Sequence, residues 1–213
     1  MKTEEQLGIS YEYTAANHEV SHSYLKPVVD RFVEKVPAKS VVLDMGCGNG
    51  SFLSLYRDRG WVLHGTDFST TGIEIARKNY PDIDFILGDS QTSAEDLTKQ
   101  VGLVDLVIST EVIEHLYDPK GFLRTAYSVL KPGGMMVITT PYHGYLKNLA
   151  MAVTGRMDTH FTVLWDHGHI KFWSAKTLGK AIEDAGFRDL RFEGAGRVPY
   201  MWKSMAMACR KPL

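Results

Sequence analysis

Five short apolar runs, Ser40–Asp44, Val62–Asp67, Asp84–Leu87, Leu103–Thr110 and Met135–Thr140, are each of strand length and nearly unbroken. A strand with one wet face alternates apolar and polar residues, whereas a strand covered on both faces does not. The runs therefore predict a parallel sheet held between layers of helices. Helical spacing and its punctuation fill the gaps. Ser69 or Thr70 is placed to cap a helix running to about Asn79, before Pro81. Asp118 and Pro119 read as the N-cap and first residue of a helix through Leu130, stopped by Lys131-Pro132-Gly133-Gly134. Ser174 caps a helix over Ala175–Ala185, with Gly186 just past its end. Such alternation folds through right-handed crossovers into a doubly wound, Rossmann-like, three-layer α/β architecture. After Gly186 two strand-like segments, Arg188–Glu193 and about Lys203–Arg210, are close enough to form an antiparallel edge pair.

A chain of 213 residues suits one domain spanning 1–213. Segment 1–36 is expected to be helical in its second half, where Tyr24, Leu25, Val28, Val29, Phe32 and Val33 recur at helical spacing. The stretch of about 142–171 fits neither period. In doubly wound folds ligands bind beyond the carboxyl ends of the strands, so this insertion is expected to cap a substrate. With 24 Lys+Arg against 25 Asp+Glu and a net charge of −1, the chain lacks the basic patch of a nucleic-acid binder. Only Cys47 and Cys209 are present, which implies a reducing compartment. The first residues are polar, and no run approaches the ~20 apolar residues of a bilayer span. The expectation is a cytoplasmic protein with no stable membrane insertion, monomeric or homodimeric.

The densest chemical signal is Val41-Val42-Leu43-Asp44-Met45-Gly46-Cys47-Gly48-Asn49-Gly50-Ser51, a buried strand entering a glycine-rich turn and then a helix. A dinucleotide fingerprint would place glycine at position 51, where this chain has Ser51. Asp44 sits immediately before the loop, and a carboxylate there suits a cation better than a pyrophosphate. Acids recur after the next strands as Asp67, Asp89 and Glu111. Asp67 lies at about the spacing at which an acid chelates ribose hydroxyls in such folds. If the strands are parallel, all four carboxylates share one edge of the sheet, as a pocket for an adenosine bearing a positive charge would require.

Taken with "GTDFS" at 65–69, "GDS" at 88–90, "EVIEHLYDP" at 111–119, "LKPGG" at 130–134 and "TTP" at 139–141, the glycine loop resembles that of the class I S-adenosylmethionine-dependent methyltransferases. The resemblance is strong over about 38–140. The "EVIEHL" and "DP" pattern, with His167 shortly before Lys171-Phe172, resembles the ubiquinone-biosynthesis O-methyltransferase branch, which methylates phenolic hydroxyls. It implies sheet order 3-2-1-4-5-7-6 with strand 7 antiparallel, S-adenosylmethionine as donor and S-adenosylhomocysteine as product. By the same resemblance Asp44, Gly46, Cys47 and Gly48 would hold the methionine part, Asp67 the ribose hydroxyls and Phe68 an adenine face. Asp89, with Ser90 beside it, would accept from the adenine amino group, and Thr110 and Glu111 would line the methionine end.

Methyl transfer from a sulfonium is an in-line displacement that relies mainly on holding the acceptor in place. A hydroxyl acceptor also profits from a general base. His115 and His143, which follow strand ends, are the base candidates, and either equally suits a helix cap or a packed loop. Tyr142, Trp165, His167 and His169 are candidate contacts to a small-molecule acceptor in the cap. A divalent metal is conceivable at Glu111, Glu114 and His115, or at His160, Asp166, His167 and His169, but no HExxH or cysteine spacing calls for one and none is expected. Nucleic acid is not expected as acceptor, since Ser109-Thr110-Glu111-Val112 stands where amino-methylating enzymes of nucleic acids carry Asn/Asp-Pro-Pro-Tyr/Phe. Methylation of nitrogen or carbon in a small metabolite stays open beside O-methylation. An NAD(P)-dependent oxidoreductase and a non-catalytic S-adenosylmethionine-binding protein also remain.

Overall fold

The computed structural model describes residues 21–88, 93–161, 164 and 168–213. The expected strands are β1 (Val41–Met45), β2 (Val62–Asp67), β3 (Asp84–Leu87), β4 (Val104–Thr110) and β5 (Leu130–Pro141), followed by β6 (Arg188–Ala195) and β7 (Ser204–Arg210). They form one sheet in the order β3-β2-β1-β4-β5-β7-β6. Strands β1 to β5 are joined in parallel, and β7 runs antiparallel to both β5 and β6. This is the order and sense that the resemblance implied.

The unbroken apolar runs exist because both faces of the sheet are covered. Alternate residues leave the sheet in opposite directions. Val42, Leu106, Ile108, Val137, Ala206 and Ala208 enter one apolar layer, and Leu43, Val107, Met136, Ile138, Met207 and Cys209 enter the other. The first layer is closed by α1 (His22–Val33), whose Leu25, Val28, Val29, Phe32 and Val33 are buried at the spacing of one helix face. The second is closed by Leu97 of α3 (Ala94–Val101), Phe122, Leu123, Ala126 and Val129 of α4 (Pro119–Val129), and Leu178 and Ile182 of α7 (Ala175–Asp184).

The capping residues act as their chemistry predicts. Helix α2 (Thr70–Asn79) begins where Ser69 Oγ accepts from the Gly72 N–H at 3.1 Å. Asp118 accepts from the Gly121 N–H at 2.9 Å at the start of α4. Ser174 and Thr177 form a reciprocal capping box on α7. Two local features differ from the sequence expectation. The glycine loop leads into a tight 3₁₀ helix, Leu53–Arg59, closed by Gly60 at φ +68°. Strand β5 begins at Leu130 rather than Met135, because Lys131–Gly134 stops α4 and then passes directly into the sheet, with Leu130 beside Val104. There Lys131 Nζ donates to both Asp105 oxygens at 2.8 and 2.9 Å, and the Val41 N–H donates to Asp105 Oδ2 at 2.8 Å. Three strands are thereby tied at the amino edge of the sheet.

The segment 142–171 contains α5 (Tyr145–Val153) and α6 (Met157–Phe161), both beyond the carboxyl end of β5. Among the described residues no helix is long and apolar enough to cross a membrane.

Phe122 is wholly buried, so Phe122→Ala is expected to lower stability by about 3–5 kcal/mol in urea unfolding. Leu149→Ala, on a side chain 61% exposed on α5, should stay within about 0.5 kcal/mol of the parent.

Candidate active site

Strand β1 pairs with β2 on one side and with β4 on the other, so the chain's crossovers leave it in opposite directions. A crevice opens at such a switch point beyond the carboxyl ends of the strands. The glycine loop lies there and is held from β2. The Gly46 and Cys47 N–H groups donate to the Thr66 carbonyl at 2.8 and 3.0 Å. Asp67 Oδ2 accepts from the Gly48 N–H at 2.8 Å, and Asp67 Oδ1 from the Ser69 N–H at 2.8 Å. One buried carboxylate thus clasps the loop to the start of α2.

The glycines answer to packing as well as to turn geometry. Gly46 has φ +86°, and a Cβ there would stand 2.4 Å from Val112 Cγ2. Gly50 has φ +76°, and its Cβ would stand 2.6 Å from Phe85 Cζ. The Cys47 side chain turns into the core beneath the loop. Burial, helped by Asp67 and Asp44, pushes its thiol well up, which leaves it an inert packing group.

Asp44 is fully buried, and neither carboxylate oxygen has a hydrogen-bond partner among the described residues. Desolvation, with repulsion from Asp67 behind it, raises its pKa to about 8. Such an acid is protonated at neutral pH until a cation is brought to it. Phe68 is half-buried beside the clasp, while Asp89 and Ser90 lie outside the described residues.

The end of β4 meets the end of β5 through four side chains. Thr139 Oγ1 donates to Glu111 Oε1 at 2.9 Å, and Thr140 Oγ1 donates to Glu114 Oε2 at 2.9 Å. Ser204, from the antiparallel edge, donates to Glu111 Oε2 at 2.9 Å. Glu111 holds φ +55°, a left-handed conformation that costs a β-carbon residue on the order of 1 kcal/mol. Its backbone N–H donates to Thr139, which helps hold it there. Glu114 is buried with Oε1 unpartnered among the described residues. Desolvation and the neighbouring Glu111 push its carboxyl well above the ordinary range. Thr110, half-buried, closes β4 at this edge.

The sequence-predicted histidines converge. The Glu114 carbonyl accepts the N–H groups of Ile170 and Lys171, both at 2.9 Å. This docking puts the His169 ring edge-on to His115, with centroids 4.9 Å apart. His143 packs 5.0 Å from Phe172, 5.5 Å from His160 and, nearly parallel, 5.9 Å from Phe161. Both His143 ring nitrogens are buried without a hydrogen-bond partner among the described residues. Burial, then the charges of Lys147, His160 and His169, lowers its pKa to about 4. His169 is lowered to about 4 chiefly by burial and by His115. Tyr142 is placed otherwise, buried in the core layer with Trp202 at 5.1 Å. Trp165 and His167 lie outside the described residues.

Sequence reasoning passed over Lys147. It is 3% exposed, and Nζ donates to the carbonyls of Tyr142 at 2.8 Å and Lys203 at 3.4 Å. Desolvation, then Arg197, brings its pKa down to about 8. It anchors α5 to the residue following β5 and to the residue preceding β7. A lysine in an amphipathic helix carries no signal that it points inward.

A family model described as a methyltransferase domain matches residues 16–191. The ubiquinone biosynthesis O-methyltransferase of Cereibacter sphaeroides is 30% identical over 165 residues, which cover 76% of this chain and 65% of that protein. An S-adenosylmethionine-dependent methyltransferase from Archaeoglobus fulgidus superposes with a TM-score of 0.63 at 19% identity, covering 88% of this chain and 93% of that one. The [4+2]-cyclase SpnF superposes with a TM-score of 0.68 at 16% identity, covering 96% and 86%. At those identities the structural likenesses establish the fold.

Asp67→Ala strips two buried N–H groups of their acceptor and is expected to cost about 2–3 kcal/mol in denaturant unfolding. Asp67→Asn, which keeps one carbonyl acceptor, should lose less.

Proposed function

This chain belongs to the methyltransferase-domain family, and on that premise we propose that it moves the methyl group of S-adenosylmethionine to a hydroxyl of a small-molecule acceptor, releasing S-adenosylhomocysteine. One observation carries the reading. Asp44, buried beneath a glycine loop and without a hydrogen-bond partner among the described residues, has the chemistry of a receptor for a cation, and the donor brings both a sulfonium and an ammonium. Asp67 stands ready for ribose hydroxyls at the end of β2, with Phe68 beside it for the adenine. The backbone of Gly46 to Gly48 and the Thr110–Glu111 turn flank the methionine end. Preference for oxygen over nitrogen or carbon rests on the relative named a ubiquinone biosynthesis O-methyltransferase. Because the matched stretch spans 65% of that relative, its acceptor is not carried over.

In this scheme the acceptor oxygen attacks the methyl carbon in line with the breaking carbon–sulfur bond, whose electron pair returns to sulfur. The rate comes mostly from alignment. We place His143 in the base role. With a pKa of about 4 it is neutral throughout the physiological range. It is too weak to ionise a phenol beforehand, so it would take the proton as the carbon–oxygen bond forms and the hydroxyl becomes acidic. Phe161 and Phe172, which flank it, suit an aromatic acceptor.

Two measurements test the reading. Asp44 holds a proton below about pH 8 that the donor's ammonium would displace. Calorimetric titration with S-adenosylhomocysteine in buffers of different ionisation enthalpy should therefore register close to one proton released per site at pH 7, vanishing well above pH 8. Asp44→Asn should release none, and NADH should not bind. The same raised pKa, set against about 3.9 in the unfolded chain, means that the free protein loses stability as pH rises from about 4 to 8. Binding of NADH alone would put the oxidoreductase reading in its place. His143→Ala is expected to lower kcat on a phenolic acceptor about 100-fold while leaving S-adenosylhomocysteine affinity unchanged. An effect within threefold would remove His143 from the base role, and an amine acceptor would tolerate the change.

A further inference from the structure

Lys147 carries a charge into the rim of the site, where its hydrogen-bond partners are neutral. It is the third residue of α5 and 3% exposed, and Nζ donates to the carbonyls of Tyr142 at 2.8 Å and Lys203 at 3.4 Å. His143 and His160 both feel that charge, and Arg197, exposed just past β6, adds a second positive charge to the same corner. From this placement we infer that Lys147 selects the acceptor, its ammonium receiving a carboxylate that an aromatic acceptor carries.

A buried ammonium is costly to keep unless an opposite charge comes to it. The two carbonyls satisfy two of its three N–H groups and leave the charge in place. Glu111 offsets part of that charge, but it acts on Lys147 less strongly than Arg197 does, and its oxygens are engaged by Thr139 and Ser204. The balance at this corner is positive, the reverse of that beneath the glycine loop, where Asp44 is placed to receive a cation. A neutral acceptor leaves the imbalance standing, and a carboxylate removes it. The contact with the Lys203 carbonyl is also long for an ammonium, whereas charge-assisted bonds run about 2.7–2.9 Å. A carboxylate oxygen can therefore take that position while the bond to Tyr142 stays.

The neighbouring wall suits a ring. Phe161 and Phe172 meet edge to face at 5.0 Å, and His143 stands 5.9 and 5.0 Å from them. His160 stands 5.5 Å from His143 on the same wall. An aryl acid lies with its ring against these four side chains and its charge toward α5.

Binding of the anion stands apart from the methyl-transfer reading, whereas its use in catalysis rests on that reading. In the transfer the acceptor O–H proton passes to His143, the oxygen–carbon bond forms, and the carbon–sulfur pair leaves with sulfur. An imidazolium then faces the Lys147 ammonium, a like-charge pair that the acceptor's carboxylate offsets. An anionic acceptor thus strengthens the base it needs, and a neutral one of the same shape does not.

The test compares 3,4-dihydroxyphenylacetate and caffeate, each with its own methyl ester, by calorimetric titration of the full chain with and without saturating S-adenosylhomocysteine. The ester removes the charge and little else. At least one acid should bind the parent chain about 10-fold or more tightly than its ester, as a charge-assisted bond implies. Lys147→Met should abolish that ratio by weakening the acid about 10-fold or more while the ester stays within about threefold. Lys147→Arg should restore part of it, and Arg197→Gln should reduce it. Thermal unfolding checks that each variant folds; Lys147→Gln, which keeps a donor for one carbonyl, replaces Lys147→Met if that chain does not fold. Equal binding of acid and ester to the parent chain, or no binding of either, would overturn the assignment. So would equal weakening of acid and ester in Lys147→Met, the result expected of a residue that only anchors α5. S-adenosylhomocysteine binding in the same samples separates the two readings. Donor-product binding without a preference for the acid overturns the anion site alone, while a Lys147-dependent preference in a chain that does not bind donor product upholds it and overturns the transferase reading.

Discussion

A parallel sheet covered on both faces leaves its strands few places for polar chemistry other than their ends. Here the constraint is tight, because β1, β4 and β5 each send alternate residues into two apolar layers. Acids and hydroxyls therefore gather where the chain leaves the sheet, and parallel pairing sets those exits side by side. Asp67 shows the consequence. Placed at the end of β2, it accepts from the Gly48 N–H of the loop after β1 and from the Ser69 N–H at the start of α2, and so ties the two together. Asp44 is the exception within β1, an acid inside the strand with no partner among the described residues. That is an expensive arrangement for folding and a sensible one for receiving a cation.

The second half of the site depends on hydroxyls rather than on backbone. Thr139 and Thr140 point to opposite sides of β5 and so hold Glu111 and Glu114 separately. Ser204 adds a bond from the antiparallel edge, across 93 residues of chain. The strained turn at Glu111 is thus fixed by three strands. Lys147 does comparable work for the segment beyond β5, bonding carbonyls on both sides of the β5–β7 seam. The antiparallel pair is consequently part of the site's support as well as the rim of the sheet.

Much of this was readable from local pattern. Strand positions, the caps at Ser69, Asp118 and Ser174, and the acids at strand ends follow from period and turn chemistry, which act over a few residues. The start of β5 was not readable, because Lys131–Gly134 looks like a helix stop whether or not the next residues pair. The inward direction of Tyr142 and Lys147 was equally hidden, since a loop residue and an amphipathic helix give no sign of which neighbour will cover them. Among the histidines, sequence separated His115 from His169 into base and acceptor contact, and the fold sets their rings edge to edge.

By itself, then, the sequence determined the layers, the strand order implied by its motifs, the glycine loop and the line of carboxylates along one edge. Those properties are periodic or local, and burial of apolar surface enforces them wherever the chain goes. Tertiary structure alone decided which polar groups meet: Asp67 with the Gly48 amide of the loop, Thr140 with Glu114, His169 with His115. These contacts join distant residues through segments that carry no period, so their geometry comes into being only when the sheet has closed and the loops have docked on its ends.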